Sequence, residues 1–471
     1  MSSELLSRLQ FFLTASFHFI YPPISIGLGL VLVVIGIVYL RTGDPKWRQL
    51  SFFWIKVYGL VFAMGIATGI VQEFEFGTNW ANYSRFVGNV FGSLLAAEGI
   101  FAFFLEGGFL GLMLFGGNRL GPRMWLLATF LVALGAHFSA LWIIMANSWM
   151  QTPAGYTIAA TPLPTRAVMT SFTQVIFTPS FIPRLLHTLT ASWLVGASLV
   201  LSVSAWYLLK KRHTDSAQGA IKVALPIFVV FSILQVILFG ASQATNVTGY
   251  QQVKLAAMEG VWQSQSCAPM YLVGWVNETA QTTKGISIPC LLSLLAYMDP
   301  KAIVQGLTSF PSDTWAPINL TFQVYHLMIN LGALFILIGL LGALFFFLKR
   351  NGARRLWTTP WVLWLLVLSI FATEFATLSG WWTAEFGRQP WIVWNLLRTS
   401  EAGSPNLAVY QVFASVLMFV VVYIILFILF IYLLNEKIQH GPAPLEHEEE
   451  VPVTSLPDSF KDIFRRKEHI S

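Results

Sequence analysis

Charge is what this sequence has least of. Only 11% of its 471 residues are Asp, Glu, Lys or Arg, while 56% are hydrophobic. A soluble domain carries about 25% charged residues, so a water-soluble enzyme or binding module is excluded. Cysteine is scarce too. Cys267 and Cys290 are the two present, and without close Cys/His spacing a structural zinc centre has no support. Both fall in one polar segment, where they pair if that segment faces an oxidising compartment and otherwise stay free thiols. No basic leader with a small-residue cleavage site precedes the first apolar run, which therefore reads as a membrane span. No internal repeat is visible, so a transporter built from inverted repeats gains no support. The formal charge of +6 does not argue for nucleic acid, because the basic residues sit at the ends of apolar runs.

What is present is a series of nine apolar runs: 10–40, 50–71, 90–115, 124–145, 182–209, 221–239, 318–348, 361–378 and 408–434. Each meets or approaches the length of about 20 residues that a helix needs to cross a bilayer. The fold class is all-α, a polytopic helical membrane bundle. Short connections carry Arg41, Lys46 and Arg48, then Arg119 and Arg123, then Lys210–Arg212 and Lys222, then Lys349, Arg350, Arg354 and Arg355. By the positive-inside rule these loops are cytoplasmic, which puts the N-terminus outside and the C-terminus inside. The chain divides into residues 1–239 with spans one to six, an outer segment 240–317, residues 318–434 with spans seven to nine, and a polar cytoplasmic tail 435–471. Outer segments this long are usually functional or disordered. Within 240–317 the stretch GYQQVKLAAMEG, 249–260, has helix-forming character and sets Lys254 and Glu259 near each other.

Inside the third run, EGIFAFFLE places Glu98 and Glu106 at membrane depth. An ionised acid there costs roughly 2.5–3.5 kcal/mol on insertion scales. Eight residues apart on a helix, the two lie near one face and about 12 Å apart in depth. That pattern suits a proton path or an ion site, with buried structural hydrogen bonds as the plainer alternative. His18, His137, His187 and His326 fall in spans. His18 precedes Pro22 and Pro23, and a proline four residues on cannot donate to the His18 carbonyl, so the helix opens there. His18, His187, His326 with Met328, Glu98 and Glu385 all fall towards the outer ends of their spans, while Glu106 lies deeper. His with Met suits an electron-transfer haem iron, and a lone His suits an iron that binds a substrate. The 15% aromatic content, with 18 Trp, exceeds what interface belts need and fits planar ligands.

These residues lie in stretches that resemble subunit I of the cytochrome bd-type quinol oxidases: FHFIYPP (17–23), TGIVQEFEFGTNW (68–80), EGIFAFFLE (98–106), ANSWMQTPAG (146–155), KLAAMEG (254–260) and GWWTAEFGRQPW (380–391). The resemblance covers all nine spans. It implies three haems and quinol oxidation coupled to reduction of dioxygen to water without proton pumping, in a bacterial plasma membrane. By motif, His187 and Met328 would ligate low-spin haem b, Glu385 high-spin haem b, and His18 the iron of haem d or of a third haem b. Glu98 would sit by the high-spin pair, Glu106 on the proton route, Trp381 between haems, and Arg388 at the propionates. Lys254 and Glu259 would bind quinol, Glu259 accepting a proton. Many relatives carry Arg two residues before the Met ligand, where this chain has His326, which makes His326 a competitor of His187. The resemblance also implies a second membrane subunit and one-span accessory subunits. An electron-transfer subunit that does not touch oxygen, or a proton-coupled transporter using Glu98 and Glu106, are the competing readings.

Overall fold

The computed structural model describes residues 2–117, 119–159, 165–350 and 352–442. Residues 443–471 of the expected tail lie outside the described residues. In chain order the helices are α1 (Ser3–His18), α2 (Tyr21–Thr42), α3 (Pro45–Thr78), α4 (Ala81–Ala97), α5 (Phe104–Phe115), α6 (Pro122–Gln151), α7 (Phe172–Ile176), α8 (Phe181–Leu209) and α9 (Thr214–Leu234). Then follow α10 (Ala241–Tyr250), α11 (Gln252–Glu259), α12 (Leu291–Tyr297), α13 (Ile318–Phe347), α14 (Pro360–Phe386), α15 (Thr399–Ala402) and α16 (Val409–His440). Two π-helical segments, Glu98–Phe103 and Gln235–Gly240, join α4 to α5 and α9 to α10. Taken as continuous helices, nine among the described residues are long and apolar enough to cross a membrane.

Local sequence sets the ends. At Asp44-Pro45-Lys46 the Asp44 carboxylate accepts the Lys46 amide at 2.9 Å, and Pro45 opens α3 where no amide is needed. Pro22 and Pro23 likewise fall in the first turn of α2, so the expected first span is two helices meeting at Phe19–Ile20. Several expected boundaries were short, and two stand out. The third span begins at Ala81 rather than 90, and the sixth continues to Tyr250 rather than ending at 239. The added turns, such as ASQATNVTGY, are polar; hydropathy marks the apolar thickness of the bilayer and misses helix that runs beyond it.

α8 packs against α2, α9, α14 and α6, and its middle (Ser192, Gly196, Ala197, Ser198) is small and buried. Gly27 of α2 and Gly196 meet backbone to backbone, leaving no room for a Cβ on either; small residues allow this closeness where no hydrophobic drive acts between helices. Ser198 and Thr373 bridge α8 and α14 at 2.7 Å. Such bonds average only about 0.6 kcal/mol, so close packing over the whole crossing decides. Facing outward are large apolar side chains, among them Phe101, Phe104, Phe413 and Ile428.

The segment after α10 is ordered around α11 and a hairpin pairing Met270–Asn277 with Thr282–Ile288. Gln323 of α13 donates to the Gly274 carbonyl at 2.9 Å and ties the hairpin to the bundle. Cys267 and Cys290 form a disulfide within it.

Candidate functional site

His18 is the last residue of α1, beside the break before α2. Its Nδ1 lies 2.9 Å from Thr68 Oγ1. The Thr68 hydroxyl donates to the Met64 carbonyl at 2.8 Å, so it accepts from Nδ1–H and leaves Nε2 as the ring nitrogen with a lone pair. Gly69 lies against the ring, which a side chain at that position would crowd. The helix carrying His18 starts at Ser3 and that carrying Glu98 at Ala81, so both sit roughly 22–26 Å from those helix starts. The sequence places them towards the outer ends of their spans, so they lie deeper than expected. His187, Met328 and Glu385 are nearer the end of the bundle that carries the hairpin, giving two tiers rather than one.

The upper tier joins α6, α8, α11, α13 and α14. Glu385 accepts from Asn147 Nδ2 at 3.2 Å through Oε1 and pairs with Arg388 through Oε2. Arg184, three residues before His187, donates to Asn147 Oδ1. Lys254 is buried and donates to Gln151 Oε1 and to the Ala384 carbonyl, both at 3.1 Å. Burial holds the Lys254 ammonium well below the ordinary lysine value; Arg184 and Arg388 add to the effect and Glu385 opposes it. Three cations thus gather on one carboxylate. Arg388 Nε and Nη1 and Arg184 Nε are enclosed without an acceptor among the described residues. Unpaired buried cations cost several kcal/mol each, so this cluster calls for further anions. Met328 Sδ packs on Gly380, where a Cβ would come within 3.0 Å. The side-chain amide nitrogen of Gln235, first residue of a π-helical segment, lies 3.2 and 3.3 Å from the two His187 ring nitrogens. Trp381 packs on Phe19, ring centroids 6.0 Å apart.

Below lie the two acids. Ser139 donates to Glu98 Oε1 at 2.6 Å, and Tyr58 donates to Glu106 Oε1 at 2.7 Å. Gly135, one turn from Ser139 on α6, packs against the Glu106 backbone and Cβ. Both acids therefore face α6, and the wider π turn at Glu98–Phe103 brings them closer to one stripe than a regular helix would.

Glu259 and Lys254 do not meet. Five residues apart on one short helix, they turn to different sides, Lys254 to α14 and Glu259 to α13. Tyr325 hydrogen-bonds the Glu259 carboxylate, and burial nonetheless pushes that carboxyl up to about 7. His326 Nδ1 is 2.8 Å from the Phe322 carbonyl, and its Nε2 lies 3.9 Å from Glu259 Oε2. His326 thus faces Glu259, with its Nε2 enclosed and without a hydrogen-bond partner among the described residues. His137 is used at both nitrogens, by the Ala133 carbonyl at 2.7 Å and by Trp193 Nε1 at 2.9 Å. Sequence reasoning missed Thr68, Tyr58, Ser139, Asn147, Gln151 and Arg184. Asn147 and Gln151 stand inside a quoted motif, one helical turn apart, and Arg184 is a lone cation beside His187 in an apolar run; those signals were available.

The model of the cytochrome bd terminal oxidase subunit I family matches residues 6–442. The chain belongs to that family. It is 33% identical to the cytochrome bd-II ubiquinol oxidase subunit 1 of Escherichia coli (strain K12), over 94% of this chain and 98% of the relative. It is 34% identical to the cytochrome bd ubiquinol oxidase subunit 1 of Bacillus subtilis (strain 168), over 98% of each. The structure of bd oxidase from Geobacillus thermodenitrificans superposes with a TM-score of 0.85 at 28% identity, covering 93% of this chain and 99% of that one. This cytochrome bd subunit is accordingly a multi-pass bacterial membrane protein and a quinol oxidase component with haem as its cofactor. The residues present fit that group: imidazole, thioether and carboxylate donors stand beside enclosed guanidinium N–H groups suited to propionates.

Proposed function

We propose that this subunit holds three haems and uses them to oxidise quinol at the hairpin end and reduce dioxygen to water. His187 and Met328 would hold low-spin haem b, Glu385 high-spin haem b, and His18 haem d or a third haem b. When bound, haem supplies one-electron transfer and oxygen chemistry. Arg388 and Arg184 would neutralise propionates, and Trp381 would lie between cofactors. The carrying observation is the cation excess around Glu385, which a diacid porphyrin would balance.

Glu259, held by Tyr325 at the hairpin end, accepts a quinol proton. Lys254, with Gln151, borders the same helix on its α14 side and orients the quinol region. Glu106, held by Tyr58, keeps a proton on the route from the end bearing the basic loops, and Glu98 with Ser139 stands at the haem side of that route. The basic loops support placing that end in the cytoplasm. The Cys267–Cys290 disulfide supports placing the hairpin on the oxidising side. Protons leave quinol on one side and are consumed from the other, so charge is separated without pumping. A second membrane subunit, with one-span accessory peptides, would cover the exposed apolar faces left free by lipid.

The test is quinol-driven oxygen uptake by the purified complex in sealed vesicles. The expected result is that no more protons appear outside than quinol itself releases. A larger yield would contradict the non-pumping scheme, and no oxygen uptake by a haem-loaded complex would reduce the subunit to electron transfer.

A further inference from the structure

Two acids with enclosed carboxylate oxygens, Glu374 and Glu75, are left unused by the scheme above. Glu374 lies seven residues before Trp381 and eleven before Glu385 on α14. Those separations are close to two and three whole turns, so Glu374 shares their face, about 10 Å beyond Trp381 and about 16 Å beyond Glu385. Both of its carboxylate oxygens are enclosed and find no hydrogen-bond partner among the described residues. Trp382 Nε1 donates to Ser16 Oγ at 2.9 Å, so α14 leans on the end of α1 that leads into Tyr21.

Tyr21 is fully buried, and its hydroxyl is likewise unpartnered among the described residues. It lies within electrostatic reach of both Glu374 and Tyr423. Tyr423 is buried with an unpartnered hydroxyl and lies within reach of Glu75. Phe17 fixes both rings, stacking on Tyr423 at 4.4 Å and edge-on to Tyr21 at 5.6 Å. Glu75 uses Oε1 on Gln10, at 3.4 Å, while its Oε2 is enclosed and unpartnered; Gln10 Oε1 in turn accepts from Ser415 at 2.6 Å. Five enclosed polar atoms therefore belong to side chains that neighbour one another in turn, Glu374 to Tyr21, Tyr21 to Tyr423 and Tyr423 to Glu75. Native proteins leave few such atoms unsatisfied, and where protein offers no partner, ordered water with two to four polar contacts does.

We infer that Glu374, Tyr21, Tyr423 and Glu75 line a file of ordered water whose inner end is the proton-exchanging Glu374 carboxyl. It is separate from the Glu106–Tyr58 arm. Resting on the oxidase reading above, the file gives product water a way out towards the hairpin end, past Gln10 and Ser415. Glu374 anchors the first water and exchanges protons with it, with no redox step of its own.

The test uses the whole membrane-extracted complex and the variants Glu374→Gln and Glu374→Leu. A reduced-minus-oxidised infrared spectrum of the unaltered complex should show a carboxyl C=O band that shifts in D2O and is absent from Glu374→Gln. An experimental map that resolves water should show it between Glu374 and Tyr21. Glu374→Leu should lower turnover about tenfold at unchanged haem content. If that variant fails to assemble, the isosteric Gln variant decides by its spectrum alone. A band that persists in Glu374→Gln, or a line filled by porphyrin or acyl chain instead of water, overturns the inference. A complex lacking haem fails the oxidase reading instead, so the two failures are distinguishable.

Discussion

The upper tier around Glu385 and the lower pair on the α6 face solve opposite problems. Above, Arg184, Lys254 and Arg388 converge on one carboxylate, and guanidinium N–H groups remain without acceptors among the described residues. Below, Glu98 and Glu106 each receive one short hydroxyl hydrogen bond, from Ser139 and Tyr58. The upper site is charged beyond what its own side chains can balance, which suits an anionic guest. Among the described residues no cation stands against either acid of the lower site, which suits carboxyls that carry protons. On the proposed function, charge excess marks where the cofactor would sit, and single hydroxyl partners mark where protons would move.

The largest effect should come from unbalancing the upper tier. Breaking a buried ion pair costs about 3–5 kcal/mol, so Arg388→Leu should weaken haem retention by more than about a hundredfold, read as lost high-spin haem in the pyridine haemochrome. Full haem content would detach Arg388 from the cofactor. Next is Glu106→Gln, which should slow oxygen reduction by about a hundredfold while quinol still reduces the low-spin haem in stopped flow. Unchanged turnover would remove Glu106 from the proton route.

A smaller effect concerns pH. With its value pushed up to about 7, the Glu259 carboxyl is protonated below that pH and cannot accept a proton. Quinol oxidation should therefore rise as pH rises through about 7, and Glu259→Gln should flatten the profile at a lower rate. The same raised value means that the folded state binds this proton more tightly than the unfolded chain does, so its contribution to stability falls over that window as pH rises. An unaltered slope in the variant would assign the titration elsewhere. Smallest is Tyr58→Phe, which removes one hydrogen bond worth about 1–2 kcal/mol and should slow turnover several-fold, less than Glu106→Gln. An equal loss would make Tyr58 a proton carrier in its own right.

Much of this was legible beforehand because membrane physics writes itself in composition. Apolar runs located all nine spans, and Pro22 and Pro23 announced the break after His18. The pair Glu98 and Glu106 stood out because acids in apolar runs are rare. Helix ends were less legible, since Ala81–Asn89 and Ala241–Tyr250 are polar yet helical. Hydroxyl partners such as Tyr58 and Ser139 were invisible because they come from other helices and their residue types are ordinary in a bundle, while Thr68 opens a quoted stretch that does not reveal its pairing with His18. Lys254 and Glu259 looked like partners along the chain, but five residues of helix turn them apart.

The most direct test is a reduced-minus-oxidised optical spectrum of the purified complex with haem extraction and counting. The account predicts three haems, including a low-spin haem b whose spectrum changes in Met328→Leu and a high-spin site that binds carbon monoxide. Colourless protein, or an unchanged low-spin spectrum in Met328→Leu, would contradict it.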